Sequence, residues 1–249
     1  MNDSKFNIVT VITNKEYEKF LILFLNSLFR NTNTDNLNSV YILEKNVREE
    51  LKISLIKKYG KIIFENKNYN LDLPKIKGVF RHDWRLSVLS KSMYVYEKVL
   101  ESNIPTVLID LDSFFIKNFS QHINTEYDIQ VCERENQQKI KRIIASYISF
   151  NNKQKSICFL EKWISLIKAL NEDVVETKSL NLMSQDPNFK IERLSYKKIS
   201  YYYGIDEVSD ETAVFHLKGC NPTIPVQTDV DNRIKRLEKK YSVDDYLSL

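Results

Sequence analysis

Strand and helix periodicities alternate from the start of this chain, and that alternation restricts the fold more than any other feature. Residues 6–13 (FNIVTVIT) are apolar and β-branched, as a buried strand requires. Asn14 then offers a helix N-cap, and residues 15–30 carry apolar side chains at helical spacing. Residues 40–43 form a second apolar run, residues 47–59 a second helical pattern closed by Gly60, and residues 61–64 a third run. Strands joined through helices run parallel, because a hairpin cannot accommodate so long a connection. The expected class is therefore α/β, with a mostly parallel central sheet flanked by helices.

The pattern continues less regularly. Residues 66–81 contain Pro74 and Gly78 and read as a loop, and residues 83–101 read as a helix ended before Pro105. Strands are expected over 106–111, 127–132, 143–150, 191–194 and 213–217, with helices over 156–170 and 232–241. With 249 residues, 43% of them hydrophobic, the chain can bury a substantial core. No repeat or low-complexity linker divides it, so one principal domain is expected over residues 1–225, with a basic helical tail over 226–249.

Charge and cysteines narrow the partners. A net charge of +4 is too small to argue for nucleic acid and suits anionic small molecules or an acidic membrane surface. Cys132, Cys158 and Cys220 show no metal-binding or disulfide spacing, which points to reduced thiols and a cytoplasmic setting. No signal peptide is expected from residues 1–5, and the apolar stretch 20–29 is too short to span a bilayer. The segment 232–240 (NRIKRLEKK) reads as a solvated capping helix, or as a peripheral contact with the anionic inner face of a membrane.

Residues 105–115 (PTVLIDLDSFF) drive an apolar strand into Asp110 and Asp112. Buried carboxylates need partners. Two residues apart on an extended strand, both face one side. Hard oxygen donors without a cysteine or histidine cluster favour Mg²⁺ or Mn²⁺ and a diphosphate bridged to it. A second match, Asp229-Val230-Asp231, precedes a charged helix and reads as capping. Val214 to Gly219 supplies His216 as a further metal ligand, Lys218 to neutralise phosphate and Gly219 for close backbone approach. Arg81 and Arg85 share a helical face, where phosphate binding and simple solvation are both open; Lys91 lies farther along, and His82 reads as surface.

Taken in order, these residues resemble GT-A fold (Rossmann-like) glycosyltransferases. They are most similar to the nucleotide-diphospho-sugar transferase group and the glycogenin-like galactosyltransferases. The likeness runs from the first strand through Asp110-Leu111-Asp112, Phe150-Asn151, the helix with Phe159, Leu160 and Trp163, then Glu176 with Leu180-Asn181, to His216 and Gly219. It departs at Glu176-Thr177, where the family often has Asp-Gln, and at 220–223, where the glycogenin-like pattern has Lys-Pro-Trp.

The resemblance implies a metal-dependent transfer of sugar from a nucleotide-diphosphate sugar to a glycan or lipid-linked acceptor, in bacterial or viral surface-glycan synthesis. Asp110, Asp112 and His216 would hold the metal, with Asp112 and Lys218 acting in catalysis. Thr10, Ile12, Arg85, Lys91, Asp110, Lys218 and Gly219 would contact the donor. Retention of configuration is favoured. An inverting enzyme would need a base, for which Glu133 and Glu135 are available, though both read as solvated surface charge. The alternatives are a haloacid-dehalogenase-type phosphatase or a degenerate, non-catalytic GT-A binding domain. The Asp-x-Asp-x-Phe-Phe stretch also looks like that of lesion-bypass DNA polymerases, but there it belongs near the chain start, and 249 residues is small for such an enzyme.

Overall fold

Phe6–Ile12 forms β1, and the alternation follows as the periodicity predicts: α1 at Glu18–Asn31, β2 at Leu37–Glu44, α2 at Glu49–Tyr59 and β3 at Ile62–Glu65. The computed structural model describes residues 5–69, 79–135, 141–170, 175–200, 208–217, 225–238 and 240–249, apart from the side chains of residues 79–84. Asn14 caps a short 3-10 turn at Lys15–Tyr17 that leads into α1. Gly60 ends α2 in the left-handed region at φ 68°, with its amide donating to the Ile56 carbonyl. A side chain would be strained there, which is why glycine closes this helix.

The long helix α3 (Val79–Glu101) carries the chain to β4 (Thr106–Ile109), then β5 (Ser113–Phe115), β6 (Ile129–Glu135) and β7 (Lys141–Phe150). Next come α4 (Lys153–Ala169), α5 (Val175–Met183), β8 (Ile191–Ser195), α6 (Tyr196–Ile199) and β9 (Val214–His216). The chain finishes with α7 (Val226–Glu238) and α8 (Asp244–Leu247). The main sheet has the order β3-β2-β1-β4-β7-β6-β8, and β5 pairs with β9 in a separate two-stranded sheet. β1, β2, β3 and β4 pair in parallel, as do β6 and β8; β7 alone runs against its neighbours.

Each face of this sheet carries its own apolar layer. Ile8 and Ile12 point to one face, against α1, α2 and the C-terminal helices, while Val9 and Leu108 point to the other, against α3, α4 and α5. Fully burying such a side chain contributes roughly 1.5–3 kcal/mol. Two residues behind the family resemblance, Phe159 and Trp163, belong to this core, and the Trp163 indole donates to Ser179 Oγ at 2.9 Å, tying α4 to α5. Asn151 also serves the fold: its amide donates to the carbonyls of Asn124 and Tyr127.

Three local expectations change. The strand expected to run to residue 111 ends at Ile109, because Leu111 and Asp112 form a turn. α3 begins at Val79 and α7 at Val226, four and six residues before their expected starts. Pro225, just before α7, explains the second: its carbonyl accepts from Asp229 N inside the first turn, and a proline suits a helix entrance. Asp229 and Asp231 therefore lie within α7 and do not cap it.

The segment expected to form a tail joins the core. Val230, Ile234, Leu237 and Val243 are buried in the layer that contains α1 and β5. The apolar face of 232–240 is thus consumed by the protein's own core, leaving Lys235 and Lys240 outward. Among the described residues, no helix is long and apolar enough to cross a membrane.

Candidate active site

The strand order places an opening beside Asp110. β1, β2 and β3 are joined through helices on one face; α3 then crosses to the opposite face and delivers β4 to the other side of β1. Where strand order reverses in this way, a crevice opens beyond the carboxyl ends of the strands. The register shows it: β1 pairs with β4 only from Asn7 to Val9, while its pairing with β2 continues to Ile12. Thr10 and Ile12 lie on the stretch where β1 and β4 have parted. Both are buried, and the Thr10 hydroxyl has no hydrogen-bond partner among the described residues.

Asp110 to Asp112 turn the chain from β4 into β5. The antiparallel pairing of β5 with β9 then sets Ser113 opposite His216, and Leu217 N donates to the Asp112 carbonyl at 2.7 Å. Residues 104 apart in sequence are thereby brought into contact. His216 Nε2 lies 3.0 Å from Asp112 Oδ1 and 3.8 Å from Asp110 Oδ2. One ligand atom from each of the three residues fits within a 4.8 Å span.

Cations from both helical layers brace the carboxylates. On one side Lys91 Nζ, from α3, stands 3.1 Å from Asp110 Oδ1 and 2.5 Å from Glu176 Oε1 on α5. Glu176 is presented there because Asn181 pins α5 to β7: its Oδ1 accepts from Ile143 N at 3.1 Å. On the other side Arg233, from α7, pairs with Asp112 Oδ2 and also reaches Asp229. Burial alone would raise the Asp112 carboxyl; His216 and Arg233 outweigh it and hold it well below the usual range. Its ion pairs therefore contribute stability above the ordinary carboxylate range and lose it only as pH falls through the lowered value. Burial likewise works against the Lys91 ammonium, but Asp110 and Glu176 prevail and push it above the usual lysine range.

The donor set fits a hard divalent cation. Two carboxylates and an imidazole nitrogen converge, and His216 Nδ1 is buried with no hydrogen-bond partner among the described residues, so nothing described on that side dictates the tautomer.

Not every expected residue arrives. Lys218 and Gly219 lie outside the described residues, as do the side chains of Arg81 and His82. Arg85 is 1% exposed and donates to the Ile167 and Leu170 carbonyls at the end of α4, so it caps a helix C-terminus in place of meeting the Asp110–His216 group. Arg85→Met is accordingly expected to lower stability by about 1.5–3 kcal/mol, the worth of hydrogen bonds from a charged donor, with nucleotide binding at the folded state unchanged. Chemical denaturation and a nucleotide titration of the same variant check both halves.

Glu133 pairs with Arg193 at 3.0 Å and Lys141 at 3.5 Å, and with Glu135 it borders a cavity of about 560 Å³ that also has Ser195, Tyr196 and Lys197 in its wall. Arg233 was not anticipated. The only trace in the sequence is the Asp229–Arg233 spacing of four, which pairs charges along a helix but says nothing of Asp112.

The model of the nucleotide-diphospho-sugar transferase family matches residues 50–237. That match passes residue 225 and takes in nearly all of α7. No curated protein matches the chain by sequence. Solved structures do match by fold. WbbM, a bifunctional glycosyltransferase in its apo form, superposes with a TM-score of 0.64 at 12% identity, over 98% of this chain and 51% of its own. The glycosyltransferase GlyE of Streptococcus pneumoniae gives 0.64 at 12% identity, over 97% and 64%. The galactosyltransferase LgtC, in complex with donor and acceptor sugar analogues, gives 0.55 at 11% identity, over 96% and 99%. This chain thus spans about half of WbbM and under two thirds of GlyE. With the family pattern covering most of the chain and the neighbours sharing its architecture, the chain belongs to the nucleotide-diphospho-sugar transferase family and has the GT-A fold.

Proposed function

We propose that the protein transfers a sugar from a nucleotide-diphosphate sugar to a hydroxyl of a glycan or lipid-linked saccharide, with Mn²⁺ or Mg²⁺ held by Asp110, Asp112 and His216. The observation that carries this reading is the convergence of those three side chains at the carboxyl end of β4, beside the crevice between β1 and β4. Bound there, the cation would supply positive charge to the departing diphosphate. Lys91 and Arg233 pair with the two carboxylates and orient them. Lys218 and Gly219, which follow shortly after His216 in sequence, are assigned to the diphosphate, and Thr10 and Ile12 to the nucleoside edge.

The acceptor is assigned to the polar cavity between Glu133 and Lys197, which opens at the same carboxyl edge of the sheet. Retention of configuration is part of the proposal. Its support is that Glu133, an available base for inversion, is already engaged in ion pairs with Arg193 and Lys141. The setting proposed is the cytoplasm, in agreement with free thiols at Cys132 and Cys158. The role proposed is bacterial or viral surface-glycan synthesis. Family membership leaves no ground for the phosphatase or polymerase alternatives.

The test is a thermal-shift panel of nucleoside diphosphates and nucleotide sugars, each with Mn²⁺ and with EDTA. A ligand at 100 times its Kd stabilises the folded state by about 2.7 kcal/mol. A Mn²⁺-dependent rise with one base is expected and names the donor nucleotide. No rise with any of them, from a folded sample, sinks the transferase reading in favour of a degenerate binding domain. With the donor known, proton NMR of the product should show the donor's anomeric configuration retained.

A further inference from the structure

Arg233 touches both chain segments that build the candidate cation site. Its Nη2 pairs with Asp112 Oδ2, and its Nε donates to the carbonyl of Leu217, the residue directly after His216. Nη1 reaches Asp229 Oδ2 at 3.3 Å, and the guanidinium lies over the Phe20 ring at 4.7 Å from its centroid. The residue is 6% exposed. A planar fork held on every side in this way has one orientation, which an ammonium could not reproduce.

We propose that Arg233 is a positioning residue for the cation site: it holds Asp112 through Oδ2 and the end of β9 through Leu217, so that Asp112 Oδ1 and His216 Nε2 keep ligand spacing. This rests on the divalent-cation reading above and adds a residue of α7 to it. With Oδ2 occupied by Arg233, Asp112 offers its other oxygen alone, and that oxygen is the one 3.0 Å from His216. Without Arg233 the carboxylate is free to rotate, and the end of β9 loses a tether. Groups that orient metal ligands typically govern 10–100-fold in metal affinity.

The experiment is a Mn²⁺ titration of the full chain, without nucleotide, read from the electron paramagnetic resonance signal of free Mn²⁺. It compares wild type with Arg233→Met and with Leu237→Ala, which loosens the same helix without touching Asp112. Circular dichroism sets a temperature at which all three are folded. The expected result is a 10–100-fold weaker Mn²⁺ affinity in Arg233→Met and a near-wild-type value in Leu237→Ala. If wild type binds and Arg233→Met binds within threefold of it, this inference fails and the cation reading stands. Equal losses in both variants reduce Arg233 to general packing of α7 and also overturn it. A wild type that binds no Mn²⁺ removes the cation reading and this inference with it.

Discussion

Asp112→Asn is expected to lower Mn²⁺ affinity at least ~100-fold, beyond what loss of an orienting group does, and turnover of the nucleotide sugar roughly 10³-fold or more. Three effects add. The substitution removes a negative ligand from the Asp110–Asp112–His216 group. It leaves Arg233 facing a neutral amide where it had a carboxylate. It also turns a former acceptor edge into a group that can donate toward His216 or repel the cation. Several kcal/mol of lost charge stabilisation at 1.36 kcal/mol per decade yields losses of that order.

Asp231→Asn is the matched control. It lies in the second Asp-x-Asp of the chain, pairs with Lys19 at the surface, and should leave affinity and turnover unchanged, since exposed ion pairs are worth little. Isothermal titration with Mn²⁺ and a radiolabelled-donor assay measure both. A variant Asp112→Asn that keeps turnover within tenfold of wild type would falsify the assignment of that carboxylate.

Ending the chain at residue 225 is expected to prevent folding altogether. The lost residues include Val230, Ile234, Leu237 and Val243, all buried against α1 and its neighbours. Tyr246, also lost, packs on the Phe114 ring at 5.1 Å and accepts the Arg30 guanidinium over its own ring at 4.8 Å. Truncating one large aliphatic core side chain costs about 2–5 kcal/mol, and a whole domain is stable by only about 5–15 kcal/mol. Removing four, and uncovering Phe114 beside the site, exceeds that margin. The shortened chain should show no cooperative thermal transition and should bind a hydrophobic dye such as ANS. A cooperative melt within ~5 °C of the full chain would instead make residues 226–249 a dispensable appendage.

These two results probe opposite ends of what was legible in advance. Local spacing carried the alternation of residues 6–65, because period-2 and period-3.6 burial patterns are written within a dozen residues. The grouping of Asp110, Asp112 and His216 was also legible, because an apolar run that ends in a carboxylate or an imidazole is costly without a purpose. Arg85 was misplaced because its sequence neighbourhood is the same whether its fork meets a phosphate or the carbonyls of Ile167 and Leu170. Only the packing of α3 against α4 distinguishes those outcomes.

The sequence by itself therefore determined the α/β class and the residue types able to hold a dication. Both follow from short-range periodicity and from the cost of burying charge. The tertiary structure decided the rest. It ended β4 at Ile109, so that the two aspartates meet across a turn. It paired β5 with β9 to bring His216 to them, and it folded α7 back so that Arg233 closes on Asp112. No local pattern encodes such contacts: residues 104 and 121 positions from Asp112 come to rest beside it because two apolar layers leave few places for β9 and α7 to pack.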